Sequence, residues 1–398
     1  MTRQTDMARY REWARPYLDD ALRPAEVRPD PPPRFHPEVD DYTMSMGMAM
    51  TRGGRIWLGW FAGGDDERAV IVLARSDDGG GTFSEPQFIL DPGYSRCGVH
   101  LSAVVGNLWT APDGRLFLFF MQSWGYYDGR GGVWQTVCDD PDADSPSWSA
   151  PARICDGAAL NKPAVLADGT WLLPVALWSR RVVHTEADRG IAPQGEALGF
   201  YAELDAERGA QLWASRDRGA TWARRGIAFD PDPIFQEPMA VERADGSLLM
   251  YMRTLGGMAE CESRDGGFTW GEVRPCAFPS ASARFFLSKL SSGNLLLVRY
   301  ANPERPAARS HLTAFVSRDG GATWEGGLLL DVDEPVSYPD GFQAPDGRIF
   351  IQYDYRRECG EIRLAVFREE DALAGRDTGG VSMLGHPVVQ GRTMSGSC

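Results

Sequence analysis

Ser215-Arg-Asp217-Arg-Gly219-Ala-Thr221-Trp222 decides the fold, because the same template recurs three more times in the 398 residues. Ser76-x-Asp78-x-Gly80-x-Thr82-Phe83, Ser263-x-Asp265-x-Gly267-x-Thr269-Trp270 and Ser317-x-Asp319-x-Gly321-x-Thr323-Trp324 repeat it, and a degenerate copy spans Asp140 to Trp148, where Asp144, Ser147 and Trp148 survive without the glycine. The residue types are those of a hairpin turn: Ser and Asp side chains bond turn amides, Gly takes positive φ, and the ring packs between sheets. Chance does not produce four such copies.

A second pattern is a turn followed by an apolar strand. It occurs six times, at Gly53-Gly54-Arg55, Asp113-Gly114-Arg115, Asp168-Gly169-Thr170, Asp245-Gly246-Ser247, Ser292-Gly293-Asn294 and Asp346-Gly347-Arg348. The central glycines lie 60, 55, 77, 47 and 54 residues apart, the length of a four-stranded blade with its loops. The last three boxes precede the next turn glycine by 29, 28 and 28 residues. A two-sheet sandwich does not explain this pairing, so an all-β, six-bladed β-propeller is expected over residues 38–370. Outside it, Met7–Leu22 reads as a short amphipathic helix, Pro24–Pro37 as a proline-rich linker, and 371–398 as a C-terminal tail.

Composition narrows the function. A formal net charge of −14 argues against a nucleic-acid partner, which needs clustered basic residues. All but two of the 41 basic residues are Arg, the better fork for carboxylates; the exceptions are Lys162 and Lys289. Seven scattered Cys read as reduced thiols, and five His without paired spacing give no metal site. Charges throughout Met1–Val27 leave no secretory signal, and no apolar run is long enough for a membrane span, so a cytoplasmic protein without a membrane partner is the expectation. No cofactor motif is present.

In an up-and-down blade the turns between the first two strands (A–B) and the last two (C–D) share one end. The boxes therefore read as structural, and chemistry belongs at the opposite mouth. Nine residues before a turn glycine the innermost strand begins there, which gives Glu237, Arg284 and Tyr338, with Asn161 and Lys162 at the equivalent place in blade three. Charge at the mouth of a buried strand needs a reason. Arg253 ends the second strand of the Glu237 blade, and Arg309 begins the third strand of blade five, so both reach the same mouth.

At these residues the chain resembles the sialidases, which are six-bladed propellers whose box is called the Asp-box. Phe235-Gln236-Glu237-Pro-Met-Ala-Val with Tyr251-Met-Arg253 looks like the segment carrying the family's glutamate and second arginine. Arg309-Ser-His-Leu-Thr-Ala-Phe-Val-Ser317 is similar to the third-arginine segment, and Ser337-Tyr338 to the nucleophile segment. The resemblance implies a retaining exo-glycosidase for a terminal acidic sugar. Tyr338 would be the nucleophile and Glu237 its base, with Asp65 or Asp66 in Gly63-Gly-Asp65-Asp66-Glu67 the acid/base; Arg253, Arg309 and Arg284 would bind the substrate carboxylate. A phenol suits an anomeric carbon that already bears a carboxylate, because it is neutral until its proton is taken. The chain departs from the family at Tyr42-Thr-Met44-Ser-Met46, which has no first arginine; Arg284 or Arg96 is the expected replacement.

Other readings stay open. His100 would serve as a base or bond a sugar hydroxyl, which suits lyase or hydrolase chemistry on a uronate- or rhamnose-containing glycan. Trp124 and Gln236, with Trp60, Tyr126, Tyr127 and Trp178, would contact sugar. The ordinary role of each is packing or an internal hydrogen bond, and for Glu237 a salt bridge to Arg253. A propeller that binds glycan without catalysis is the third alternative.

Overall fold

The computed structural model describes residues 3–37, 39–40, 42–182, 200–231 and 233–391, whose strands form six antiparallel sheets, one per expected blade. Blade one carries β1 (Glu26–Arg28) on its rim and β2 (Met44–Met50) at the axis, with β3 (Ile56–Ala62), β4 (Val70–Ser76) and β5 (Phe88–Asp91) between. Blade two holds β6 (Leu101–Thr110), β7 (Leu116–Trp124), β8 (Val133–Cys138) and β9 (Ala152–Cys155). Blade three holds β10 (Ala164–Val165), β11 (Trp171–Leu177), β12 (Gly209–Ser215) and β13 (Ala223–Ala228). Blade four holds β14 (Met239–Glu242), β15 (Leu248–Thr254), β16 (Gly257–Ser263) and β17 (Arg274–Pro275). Blade five holds β18 (Phe286–Lys289), β19 (Leu295–Tyr300), β20 (Leu312–Ser317) and β21 (Glu325–Asp331), and blade six β22 (Val336–Gln343), β23 (Ile349–Tyr355), β24 (Glu361–Phe367) and β25 (Met383–Gln390). Inner strands meet in turn: β10 touches β14, β14 touches β18, β18 touches β22, and β22 returns to β2.

Second strands such as Ile56-Trp-Leu-Gly-Trp-Phe-Ala62 are apolar throughout because neighbouring blades cover both faces, and all seven residues of β3 are buried. The six turn glycines that set the repeat all lie at positive φ, between +81° and +95°. Each box sits between the third and fourth strands of its blade. In blade three, Ser215 Oγ donates to Asp217 Oδ1 (2.8 Å) and accepts from the Gly219 amide (2.8 Å), while Asp217 accepts from the Thr221 amide (2.9 Å) and hydroxyl (2.6 Å). The box ring reaches back one blade: Trp222 donates to Gln135 in blade two (3.0 Å), and Trp324 to the Tyr251 hydroxyl in blade four (3.1 Å). The degenerate loop works similarly, with Trp148 edge-on to Trp57 and Asp142 accepting from the Gly53 amide (2.9 Å). Blade six has α2 (Glu369–Ala374) where a box would stand, and α2 packs on β21.

Two expected limits move. The propeller does not end at 370, because β25 is the outer strand of blade six, and β1, within the expected linker, pairs with β5. The N-terminal extension is helical as expected, but as α1 (Arg3–Ala14) followed by a 3-10 turn over Arg15–Leu22, where Pro16 removes an amide donor. Tyr10, Ala14, Leu18 and Ala21 bury themselves against the propeller. Cys97, Cys138, Cys155, Cys261 and Cys276 are free thiols. Among the described residues no helix is long and apolar enough to cross a membrane.

Candidate active site

Tyr338 reaches the axis through a local distortion of β22. Ser337 pairs with Asp354 and Asp340 with Gln352, so Tyr338 and Pro339 together face a single residue of β23. Tyr338 takes φ +55°, a left-handed conformation that costs a bulky side chain about 1–3 kcal/mol. The bulge turns its phenol to Glu237, at the mouth of β14. The Tyr338 hydroxyl donates to Glu237 Oε1 at 3.1 Å, and Arg253 Nη1 donates to the same oxygen at 3.1 Å. Burial, and then the Glu237 charge, hold the phenol well above its usual pKa, with Arg253 opposing, so the resting group is a neutral phenol.

Arg253 is the penultimate residue of β15, and its Nε donates to Ser282 Oγ (3.3 Å); Arg309, before β20, donates to the Ser282 carbonyl (3.5 Å). These two guanidinium groups from neighbouring blades thus share Ser282. A third comes from Arg357, in the short turn after β23, which the sequence reading missed. Its guanidinium lies 5.6 Å from the Tyr338 ring centroid, 3.5 Å from Asp65 Oδ2 and 2.8 Å from the Met44 sulfur. Burial works against its charge, but the Asp354 and Asp65 carboxylates hold it charged. Arg357 therefore stands over Met44, the place where the first family arginine was sought.

Neither expected replacement does this. Arg284 is fully buried below the pocket, donating to Asn161 Oδ1 (2.9 Å), the Met46 carbonyl (2.8 Å), the Leu160 carbonyl (2.8 Å) and Asp340 Oδ1 (3.2 Å). With its donors engaged, it supports the Tyr338 ring from 5.9 Å. Arg96 binds Asp20 (2.8 Å) and the Pro16 carbonyl (2.7 Å), tying down the N-terminal extension.

Of the two acidic candidates, Asp65 lies beside the pocket, between Arg357 and the Tyr126 hydroxyl, which donates to it at 3.2 Å. Asp66 is turned to Arg68, whose Nη2 reaches it at 2.7 Å, and caps the Arg68 amide (2.9 Å). His100 faces the blade: Nδ1 lies 2.6 Å from the Glu67 carbonyl, Nε2 lies 3.8 Å from Asp91, and Tyr94 packs edge-on. Asn161 donates to the Glu237 and Pro238 carbonyls (3.2 and 3.0 Å), and Lys162 binds Asn107 and Asp340, so both stand in the axial wall below the phenol. Gln236 is fully buried beside Glu237, and its amide oxygen and nitrogen, Glu237 Oε2 and the Tyr300 hydroxyl have no protein partner.

The aromatic candidates divide. Trp124 is sealed by Tyr10 and Trp13 of the N-terminal helix, with ring centroids at 6.5 and 6.1 Å, so it offers no face to sugar. Trp60, Tyr127 and Trp178 are likewise core, and Trp178 donates to the Gln236 carbonyl (3.2 Å). Tyr126 alone meets a pocket side chain. Tyr300 and Asp354 were missed, although a simple count finds them: Arg253, Tyr300 and Asp354 each follow their turn glycine by seven residues, at the mouth end of the second strand in blades four, five and six. Among the described residues no three His, Cys, Asp or Glu side chains gather as a metal site.

The family model described as "BNR repeat-like domain" matches residues 54–351. No curated protein matches the chain. Solved structures are similar in fold. A protein of unknown function from Dyadobacter fermentans DSM 18053 is 17% identical with a TM-score of 0.60, over 86% of this chain and 97% of that one. The Hadza microbial sialidase Hz136 is 17% identical with a TM-score of 0.60, over 83% of this chain and 66% of that one. The intramolecular trans-sialidase from Ruminococcus gnavus, solved with oseltamivir carboxylate, is 14% identical with a TM-score of 0.60, over 85% and 97%. At these identities the likeness is one of fold, the sialidase-type six-bladed propeller.

Proposed function

Because the chain belongs to the BNR repeat-like domain family, we propose that it is an exo-acting, retaining glycoside hydrolase that removes a terminal acidic sugar from glycans or oligosaccharides. The observation that carries this reading is the shared oxygen: Glu237 Oε1 accepts from the Tyr338 hydroxyl and from Arg253, each at 3.1 Å. A carboxylate so placed can take the phenol proton as the oxygen attacks, while Arg253 steadies the glutamate.

In the proposed reaction Arg253, Arg309 and Arg357 receive the sugar carboxylate, whose planar oxygens match guanidinium forks. Tyr338 attacks the anomeric carbon, its proton passes to Glu237, and Asp65 protonates the departing oxygen. Water then displaces the tyrosine, Asp65 taking the proton of the water while Glu237 returns the phenol proton to Tyr338, and two inversions give net retention. The Tyr126 hydroxyl holds Asp65 from one side, and the carboxylate otherwise stays open to solvent and to an entering substrate. Action in the cytoplasm on small imported oligosaccharides is part of the same proposal.

The displacement of the first arginine of the clamp to Arg357 favours a second reading of the substrate. A clamp that takes one arm from blade six holds a carboxylate at another angle, which suits an acidic sugar other than sialic acid. The test is a screen of aryl glycosides of sialic acid, other nonulosonic acids, uronic acids and rhamnose, run with wild type and Glu237→Gln. Cleavage of an acidic member, lost in Glu237→Gln, supports the proposal. Cleavage of rhamnosides alone, release of an unsaturated product, or no cleavage at all refutes it.

A further inference from the structure

The inner strands have two ends, and the Tyr338 pocket uses one. At the other, among the A–B turns, the axial channel opens into a cavity of about 680 Å³. Both lysines of the chain line it: Lys162 on the floor and Lys289 on the rim. Where nearly all other positive charge is Arg, the two compact ammonium groups fall in one cavity. Three of its five ionisable lining residues are basic, Arg52, Lys162 and Lys289 against Glu242 and Asp340, in a chain of formal net charge −14.

The floor is short of negative charge. Asp340 accepts from Lys162, Arg284 (3.2 Å), Asn107 (2.9 Å) and the Met48 amide (3.0 Å), so one carboxylate serves two cations. The other acceptors of Arg284 are neutral, and Glu242 turns a carboxylate oxygen to the Ala167 amide (2.8 Å). One positive charge is left uncompensated in a half-buried place. Burial pushes the Lys162 ammonium down to about 8, with Asp340 opposing and Arg284 assisting. An anion set against Lys162 relieves that penalty. The walls above it are Met239, Val241, Leu287 and Phe342, which offer no hydrogen bonds to a bare inorganic ion but cover a carbon skeleton well.

We propose that this cavity is a second binding site, at the opposite end of the channel from Tyr338, for a small organic carboxylate that sets its anionic group on Lys162 and its skeleton against the apolar wall. The scarcity of lysine makes the test direct. Full-length protein grown with isotope-labelled lysine gives two side-chain NMR signals, and Lys289→Arg removes one, identifying Lys162. Sodium benzoate at neutral pH is the probe, with benzamide and inorganic phosphate as counterparts. Benzoate is expected to shift the Lys162 signal saturably, half-maximally near about 1 mM, and to move its titration midpoint upward. Benzamide and phosphate are expected to leave it in place. A Lys162 signal unmoved by benzoate to roughly 50 mM overturns the proposal, as does an equal response to benzamide or to phosphate. No arm reads turnover, so the outcome is independent of the role proposed for Tyr338.

Discussion

Arg253, Arg309 and Arg357 come to the pocket from three different blades, and each is held differently. Arg253 is fixed by Glu237, Arg309 by a carbonyl, and Arg357 by the charges of Asp354 and Asp65. Arg357 divides its charge between two carboxylates and stands against the Tyr338 ring, where a substrate carboxylate would join the same set of charges. Arg357→Met keeps the bulk over Tyr338 and removes the charge. Steady-state kinetics should then show KM raised at least about tenfold with a smaller change in kcat; an unchanged KM would exclude Arg357 from substrate binding.

Asp354 offers a pH test. Burial, eased by Arg357 and by hydrogen bonds from Ser337 and the Ser45 amide, raises its carboxyl to about 6, above the ordinary 3.8. The folded protein therefore binds a proton between about pH 4 and 6 that the unfolded chain does not. The penalty for burying this charge is present above pH 6 and relieved as pH falls toward 4. Urea denaturation of wild type and Asp354→Asn should show wild type gaining about 2 kcal/mol relative to the variant from pH 7 to 4. At the residue scale Glu237, Arg253 and Tyr338 were legible because they fall at fixed counts from turn glycines. Arg357 was not, because it follows β23 in an irregular turn that no strand count reaches.

At the scale of elements, the box is a loop closed on its own side chains. Ser215 is buried and makes two of its hydrogen bonds, one to the Asp217 carboxylate and one from the Gly219 amide. Gly219 takes φ +82°, and a Cβ there would stand 2.9 Å from the Phe117 ring of the preceding blade, so the loop and the interblade seam are one structure. Ser215→Ala should cost about 1–2 kcal/mol in urea denaturation without altering substrate binding; a loss of affinity would mean that the boxes bear on the site. Hydrogen bonds from Thr221 and Ser215 hold Asp217 at about 2, below the ordinary 3.8, so what they contribute is present above about pH 4 and is lost as pH falls toward and through 2. The boxes were readable because a turn closed by its own side chains must repeat those side chains. The bulge at Tyr338 and Pro339 was not, because only pairing with β23 reveals which residue is extra.

For the molecule as a whole, closing the ring and building the site are one event. The Thr43 amide donates to the Arg357 carbonyl (2.9 Å), the Ser45 amide to Asp354 (3.1 Å), and Ser45 Oγ to the Tyr338 carbonyl (3.2 Å). Blade one thus holds the backbone of the blade-six residues around the pocket, across nearly the whole length of the chain. Six blades were countable from six turns, but the joint between first and last leaves no local pattern, and neither do the edge strands β1 and β25. The closed ring carries a phenol, a carboxylate and three guanidinium groups to one mouth, and turnover through that phenol is the central claim. It is tested most directly by kcat of Tyr338→Phe on the aryl glycoside the wild type cleaves, with the thermal melt as a check on folding. The account predicts a fall of about a thousandfold or more with the melt preserved; a folded variant within about threefold of wild type would contradict it.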